Sequence, residues 1–323
     1  MRLTLLAGVF AAALAVPLSA RAALDPYLPP DTQLFLSLDL RKAFDSDLFK
    51  THVLGHARQA LRAVASADEA LKDLGLDPFR HINRIVLASP SAAEKDRGLA
   101  IVHGTFDTDK FKARADKLRK ADSESVKIHE VPLGGGAKHD VCEIVVPGAD
   151  LSLYIALASG KVLLASPGKD YVVDALKQAK AGRKPALKDK AVEALLEAID
   201  DKLPVAVAVP GKALASVVGT ELLPEKLLDG IDAVGGGLSI GEEIKLDLAI
   251  TAKETDNART VRDAAERYGK LGLGLLGVLS GEDSPPALDF AFDLLKSLKA
   301  SGKGKVVRLS ATIKAQTLRG LFR

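Results

Sequence analysis

The stretch IDAVGGGLSIGEEIKLDLAITA, residues Ile231 to Ala252, decides the fold of this chain. Its second part has an apolar residue at every second position, namely Ile244, Leu246, Leu248 and Ile250. This period of two is typical of a half-buried β-strand. Gly241 begins a short turn before that strand, since glycine adopts the positive φ that tight hairpins often need. A helix is predicted from about Thr255, because the side chains of Thr255 and Asp256 can accept hydrogen bonds from first-turn amides.

A weaker copy of this unit lies upstream, from Ile82 to Lys120. INRIVLASP (82–90) is followed by a longer turn, by GLAIVHGTF (98–106) and by a helix from about Thr108. The full downstream unit is Ile231 to Lys270. In it, Glu254-Thr255-Asp256 stands where Asp107-Thr108-Asp109 stands in the upstream copy. The two copies agree in pattern more than in identity, so the sequence predicts an internal duplication.

Other segments of the chain also have the alternation or the short apolar runs of strands. They are Thr32–Leu40, Val126–Val131, Val141–Val146, Leu151–Leu157, Lys161–Ala165, Leu203–Val209 and Lys305–Ile313. Consecutive strands with helices between them predict an α+β fold. We expect two tandem related halves, each with antiparallel strands and with helices packed on one side.

The polar segment Ala181–Lys190, which contains a Gly and a Pro, is the best candidate for a linker. The predicted organisation is therefore a signal peptide at 1–22, a first α+β half at 23–183 and a second α+β half at 184–323.

The first 22 residues have the three parts of a secretory signal peptide. Arg2 is the basic start, Leu5–Leu18 is the apolar run, and Ala20-Arg21-Ala22 is an A-x-A cleavage site. The apolar run is shorter than the roughly 20 residues that a membrane-spanning helix needs, which favours cleavage over a retained anchor. We expect cleavage after Ala22 and a periplasmic or extracellular protein without a transmembrane segment.

Several of these features together resemble a group of exported bacterial proteins of unknown function, often found in planctomycetes. The resemblance rests on the leader, on Pro30-Asp31-Thr32 at the opening strand, on Gly75-Leu76-Asp77 before a strand, and on the hairpin Tyr154–Ser166 followed by a helix. It covers most of the mature chain. It implies an exported protein and implies no particular activity.

Composition argues against two classes of function. Aromatic residues make up 4% of the chain and Trp is absent, whereas nucleic-acid and sugar sites commonly use aromatic stacking platforms. The 45 basic and 42 acidic residues nearly balance, so the basic footprint of a nucleic-acid-binding protein is missing. The single cysteine, Cys142, alternates with Ile144 and Val146 in a strand, which predicts a buried thiol rather than a reactive one.

Two glycine motifs match catalytic or cofactor patterns but lie in the wrong context. Gly237-Leu238-Ser239-Ile240-Gly241 matches G-x-S-x-G, yet it leads into a strand rather than a helix, and every His precedes Ser239. Gly272–Gly277 matches G-x-G-x-x-G, but it follows a helix instead of a strand. We therefore predict no catalytic residue and no cofactor.

The pair His52 and His56 is four residues apart on a predicted helix, a spacing that can serve one metal ion. The glutamate of a zincin motif is absent between them, and only His81 or His103 could supply a third ligand. We interpret the pair as core or border histidines and predict no metal site.

The one candidate contact surface is the apolar stretch LGLGLLGVL (271–279), which precedes the loop GEDSPP. Its candidate contact residues are Leu273, Leu275, Leu276 and Leu279. Core packing is the competing interpretation, since small residues let a helix approach a sheet. The sequence favours a non-catalytic binding or interaction protein with an unidentified envelope protein or ligand as partner. The alternative is a hydrolase with an unrecognised active site.

Overall fold

A computed structural model of the chain describes residues 24–317, except for 64, 92, 95–96, 146–150, 183–184, 201–202, 219–223, 280–285 and 315–316. The predicted signal peptide, Met1–Ala22, lies outside the described residues.

Twelve strands form one sheet in which every neighbouring pair is antiparallel. In chain order the strands are β1 (Leu34–Asp39), β2 (Ile82–Ser89), β3 (Leu99–Gly104), β4 (Val126–Gly134), β5 (Ala137–Val145), β6 (Ser152–Ser159), β7 (Val162–Ser166), β8 (Val205–Pro210), β9 (Ile231–Ile240), β10 (Glu243–Ala252), β11 (Lys299–Lys303) and β12 (Val306–Lys314). Their order across the sheet is β11-β12-β10-β9-β8-β1-β2-β3-β7-β6-β5-β4.

The helices connect these strands. They are α1 (Leu40–Asp45), α2 (Asp47–His52), α3 (Leu54–Ala63), α4 (Ala65–Leu74), α5 (Pro78–His81), α6 (Thr108–Ala121), α7 (Lys169–Lys180), α8 (Lys190–Ala198), α9 (Gly211–Val218), α10 (Glu225–Leu228), α11 (Thr255–Leu279) and α12 (Pro286–Ser297). The predicted α+β class is confirmed.

The predicted hairpin and helix are present in both copies, as β2-β3-α6 and as β9-β10-α11. The strand order is also symmetric about the β1–β8 pair. On one side β1 is followed by β2, β3, β7 and β6, and on the other side β8 is followed by β9, β10, β12 and β11. The hairpin β4-β5 extends the sheet at one end only. This symmetry is what a duplicated unit produces.

The two halves share one continuous sheet, because their opening strands pair with each other. β1 and β8 are antiparallel neighbours, with Leu36 opposite Val207. Pairing satisfies the edge hydrogen-bonding groups that each half would otherwise expose. Part of the predicted linker Ala181–Lys190 is also packed into the fold. Leu187 is only 1% exposed, and the Lys188 amide donates to the Pro30 carbonyl at 2.8 Å.

The larger core lies on one face of the central strands, which we call the core face. Val86, Ile101 and Leu164 lie side by side on β2, β3 and β7, and all three are fully buried. α7 and α8 cover them with the buried residues Val172, Leu176, Val192 and Leu196. The segment before β1 joins the same core through Leu24 and Leu28.

A second core lies on the opposite face, at one end of β9, β10 and β12. Ile250 pairs with Val307, and successive strand residues point to opposite faces of a sheet. α9, α10 and α11 pack there through Leu214, Leu228 and Val261. Helices therefore cover both faces of the sheet, in different regions, rather than one side as the sequence predicts.

Candidate functional site

The central strands are apolar on both faces, a composition typical of strands that are covered on both sides. In β1, Leu34, Leu36 and Leu38 point to one face, while Phe35 and Ser37 point to the other. The sequence pattern suggests that the leucine face is the buried one. The structure buries Phe35 and Ser37 instead, at 8% and 5% exposure, and leaves the three leucines partly exposed.

Strand register continues this leucine face across the whole sheet. Leu36 is opposite Leu87 on one side and opposite Val207 on the other. Following each pairing to the sheet edges gives a row of twelve side chains, none of them charged. From β4 to β11 the row is Ile128, Cys142, Ile155, Ala165, Ala100, Leu87, Leu36, Val207, Gly236, Leu248, Leu309 and Ala300. We call it the open row.

Eleven residues of the open row are partly exposed and Leu87 reaches 42% exposure, although Leu309 at one end also packs against the second core. The adjacent row on the core face behaves in the opposite way. Its members Ala156, Leu164, Ile101, Val86, Ser37 and Ala206 are each at most 5% exposed. Successive residues of the same strands therefore lie alternately in a buried core and on a solvent-accessible apolar surface.

A second, parallel row widens this surface. Val102 is opposite Ile85 and Leu163, and Leu38 is opposite Ile85 and Val205. The row comprises Leu157, Leu163, Val102, Ile85, Leu38, Val205, Leu238 and Leu246, all partly exposed. Together with the open row it forms what we call the open face, which extends from β6 to β10.

The open face is large for a surface of this composition. It crosses eight strands, and seven interstrand spacings of about 4.8 Å give a width of roughly 34 Å. The two rows together span roughly 14 Å along the strands, so the open face has a footprint of roughly 480 Å². Soluble monomers rarely expose larger contiguous apolar patches, and patches of this size commonly bind a partner or ligand.

The predicted contact residues lie elsewhere, on the C-terminal part of α11. Leu275 is 63% exposed, Leu273 and Leu276 are half-buried, and the side chain of Leu279 is outside the described residues. Gly272 lets α12 approach α11, because a Cβ atom there would lie 2.7 Å from Leu295 Cδ1. Gly272 therefore faces α12 rather than the sheet. That these leucines contact a partner stays a prediction.

The strongest polar cluster surrounds Glu143 near the β4 edge. His129 Nε2 lies 2.6 Å from Glu143 Oε2, and Ser152 and Tyr154 donate to Oε1 at 3.1 and 3.3 Å. The His129 hydrogen bond, supported by these hydroxyl donors, lowers the pKa of Glu143. Ser152 bonds the carboxylate rather than the imidazole, so the cluster lacks the serine–histidine contact that activates a nucleophile.

Two further polar clusters fix the segment that precedes β1. Asp25 Oδ2 lies 2.6 Å from His103 Nε2, and the Asp25 side chain is 4% exposed. Asp31 binds Arg97 and accepts a 2.6 Å hydrogen bond from the Tyr171 hydroxyl. Burial, followed by the Asp31 carboxylate, raises the pKa of Tyr171. Both clusters tie distant parts of the chain together, which is a structural role.

The G-x-S-x-G motif lies within β9 and the turn that follows it, as the sequence context indicates. Ser239 is opposite Lys245 of β10. A Cβ atom on Gly237 would lie 1.9 Å from the Val205 carbonyl oxygen, so close strand packing explains this glycine. Cys142 belongs to the open row and is half-buried rather than fully buried. Burial raises the pKa of its thiol, which disfavours the reactive thiolate form.

The histidine pair does not share one helix. His52 ends α2, whereas His56 lies in α3, and the His52 side chain is outside the described residues. His81 Nδ1 accepts a hydrogen bond from the Asp77 amide at 2.9 Å. Within the part of the chain that is described, no group of three His, Cys, Asp or Glu side chains could hold a metal ion. Nor does any described helix have the length and apolarity to cross a membrane.

Comparison with known proteins identifies a shared fold only. No family model and no curated protein matches the chain. Among solved structures, crystal form III of TP0453 is similar, with a TM-score of 0.50 and 10% identity over 93% of this chain and 98% of that chain. Crystal forms IV and I of TP0453 give TM-scores of 0.47 and 0.44, also at 10% identity, over 94% and 93% of this chain and 96% of each of those chains.

Proposed function

We propose that the protein is an exported, non-catalytic binding protein, and that the open face is where it binds an apolar surface of a partner protein in the cell envelope. The observation that carries this proposal is the open row, which crosses twelve strands without a charged residue and without a buried one. The accessible part of these aliphatic side chains is unfavourable in water by roughly 25 cal/mol for each Å². Covering them therefore supplies the driving force for association.

The dimensions and chemistry of the face favour a protein partner over a small polar ligand. Small-molecule sites are concave and present a few convergent polar groups that orient the ligand. The open face is instead broad and purely apolar at its centre. Its footprint of roughly 480 Å² is a little more than half of what one partner buries in a standard interface of about 800 Å² per side. It therefore suits the apolar centre of an interface with a polar rim.

A matched pair of positions tests the binding face. Leu87 lies in the open row and is 42% exposed, while Leu151 precedes β6, outside both rows, and is 43% exposed. A photo-crosslinking amino acid is placed at one position or the other, and cells that produce the full chain are irradiated. We expect a discrete crosslinked protein from position 87 and none from position 151. Equal adducts from both positions, or none from position 87, would refute the proposal.

Export is a separate part of the proposal and has its own test. It rests on the basic start, the short apolar run and the A-x-A site of residues 1–22. Mass spectrometry of the protein recovered from the periplasm or medium is expected to show Ala23 as the first residue. A cytoplasmic product that retains Met1 would contradict it.

A further inference from the structure

A second surface with ligand-binding character lies away from the sheet, among α3, α4 and α5. These helices enclose a cleft of about 460 Å³, which is within the usual size range of small-molecule sites. Leu61, Leu71, Leu76 and Phe79 contribute its apolar lining. The cleft belongs to the long connection between β1 and β2 and shares no residue with the open face.

The rim of this cleft is strongly basic. Arg58, Arg62, Lys72 and Arg80 line it, against a single acidic residue, Asp77. All four basic residues are exposed at the surface. The rim therefore attracts anions, and an anion that reaches it meets apolar side chains next to the cations.

Asp77 is already occupied by local contacts. One of its oxygens accepts the Phe79 amide at 3.0 Å and the other lies 3.5 Å from Arg80 Nε. Arg58 lies over the Phe79 ring, with its Cζ atom 5.5 Å from the ring centroid. Such stacking holds the guanidinium at the apolar wall and leaves its N–H groups available for an acceptor. Arg62 forms no ion pair with any residue that the structure describes.

We propose that this cleft binds an anionic amphiphile, that is, a carboxylate or phosphate head attached to an apolar chain. The head is held by Arg58 and Arg62, whose planar guanidinium groups match the geometry of both anions. The chain packs against the leucines and Phe79. The same chemistry is offered by a free fatty acid and by an anionic lipid, and the two sources are separated in the test.

The test is calorimetric titration of the mature full-length chain with monomeric decanoate. We expect saturable binding, at least about tenfold weaker binding of decanol, and no binding of decylamine, because only decanoate combines a chain with a negative charge. Arg58→Gln with Arg62→Gln should weaken decanoate binding by about tenfold or more. The control Lys112→Gln with Lys120→Gln removes two exposed charges from α6, outside the cleft, and should change binding by less than about twofold.

Two further variants and a vesicle assay complete the test. Arg62→Gln alone serves if the double variant does not fold. Leu87→Glu should leave decanoate binding unchanged. If this variant loses decanoate binding, the ligand lies on the open face and this inference is overturned. Co-sedimentation with phosphatidylglycerol vesicles, compared with phosphatidylcholine vesicles, shows whether the anionic head of a bilayer lipid is also accepted. Decanoate binding that is absent, or equal in the cleft and control variants, refutes the site whether or not the open face binds a partner.

Discussion

Two adjacent leucines of β7 provide the sharpest test of the difference between the two sheet faces. Leu164 lies on the core face and is 0% exposed, whereas Leu163 lies on the open face and is partly exposed. Each is changed to Ala in turn, so that the residue type, the strand and the number of deleted atoms are matched. The loss in free energy of unfolding then reports only what covers each side chain.

For Leu164→Ala, three buried carbons are removed, which costs about 2.4 kcal/mol at about 0.8 kcal/mol each. The cavity left under α7 raises the total to about 3–4 kcal/mol. For Leu163→Ala no enclosed cavity forms, because solvent fills the space, and we expect a loss of about 1 kcal/mol. Urea unfolding followed by circular dichroism gives both values from the midpoint and the slope. Equal losses would show that the open face is covered in the free protein, and the argument for a binding face would fail.

Three further predictions concern the glycine motif and the Glu143 cluster. Gly237→Ala should cost at least about 2 kcal/mol in urea unfolding, since its Cβ meets the Val205 carbonyl, whereas Gly241→Ala, with open space around it, should stay within about 0.5 kcal/mol. The lowered pKa of Glu143 stabilises the fold above its unfolded pKa of about 4.3, and this contribution disappears as pH falls through the lowered folded value. Glu143→Gln should therefore reduce stability at pH 7, and this difference should shrink as the pH falls below about 4.3. A difference that stays constant with pH would contradict this assignment. Ser239 should remain unlabelled by a fluorophosphonate probe, and labelling that Ser239→Ala abolishes would make it a nucleophile.

The elements were predictable from sequence because their patterns are local. Alternation in IKLDLAI and LPVAVAV, and the Gly and Pro residues between segments, suffice to predict strands and an α+β class. The duplication was predictable for the same reason, since it repeats a local hairpin and helix. The predicted strand at Lys305–Ile313 is shifted by only one residue in β12.

The single sheet and its open face depend on long-range pairing, which local patterns do not encode. Nothing in TQLFLSLDL indicates that β1 pairs with β8, some 170 residues later. Alternation shows that Leu34, Leu36 and Leu38 share a face, but not whether a helix covers that face. The same holds for Leu246 and Leu248 of β10, which are partly exposed although Ile250 on the same face is buried. The available signal for the site was the absence of charge on either face of LFLSL (34–38), VLLAS (162–166) and VAVAV (205–209).

Thiol labelling at matched positions tests the central claim most directly. Leu87→Cys and Leu151→Cys are made separately in a Cys142→Ser background, and labelling by a maleimide is timed in the purified protein and in intact envelopes. The account predicts that both positions react rapidly in the purified protein, and that position 87 alone becomes protected in the envelope. Protection of position 87 in the purified protein, or equal labelling of both positions in the envelope, would contradict an open face that is covered by a partner.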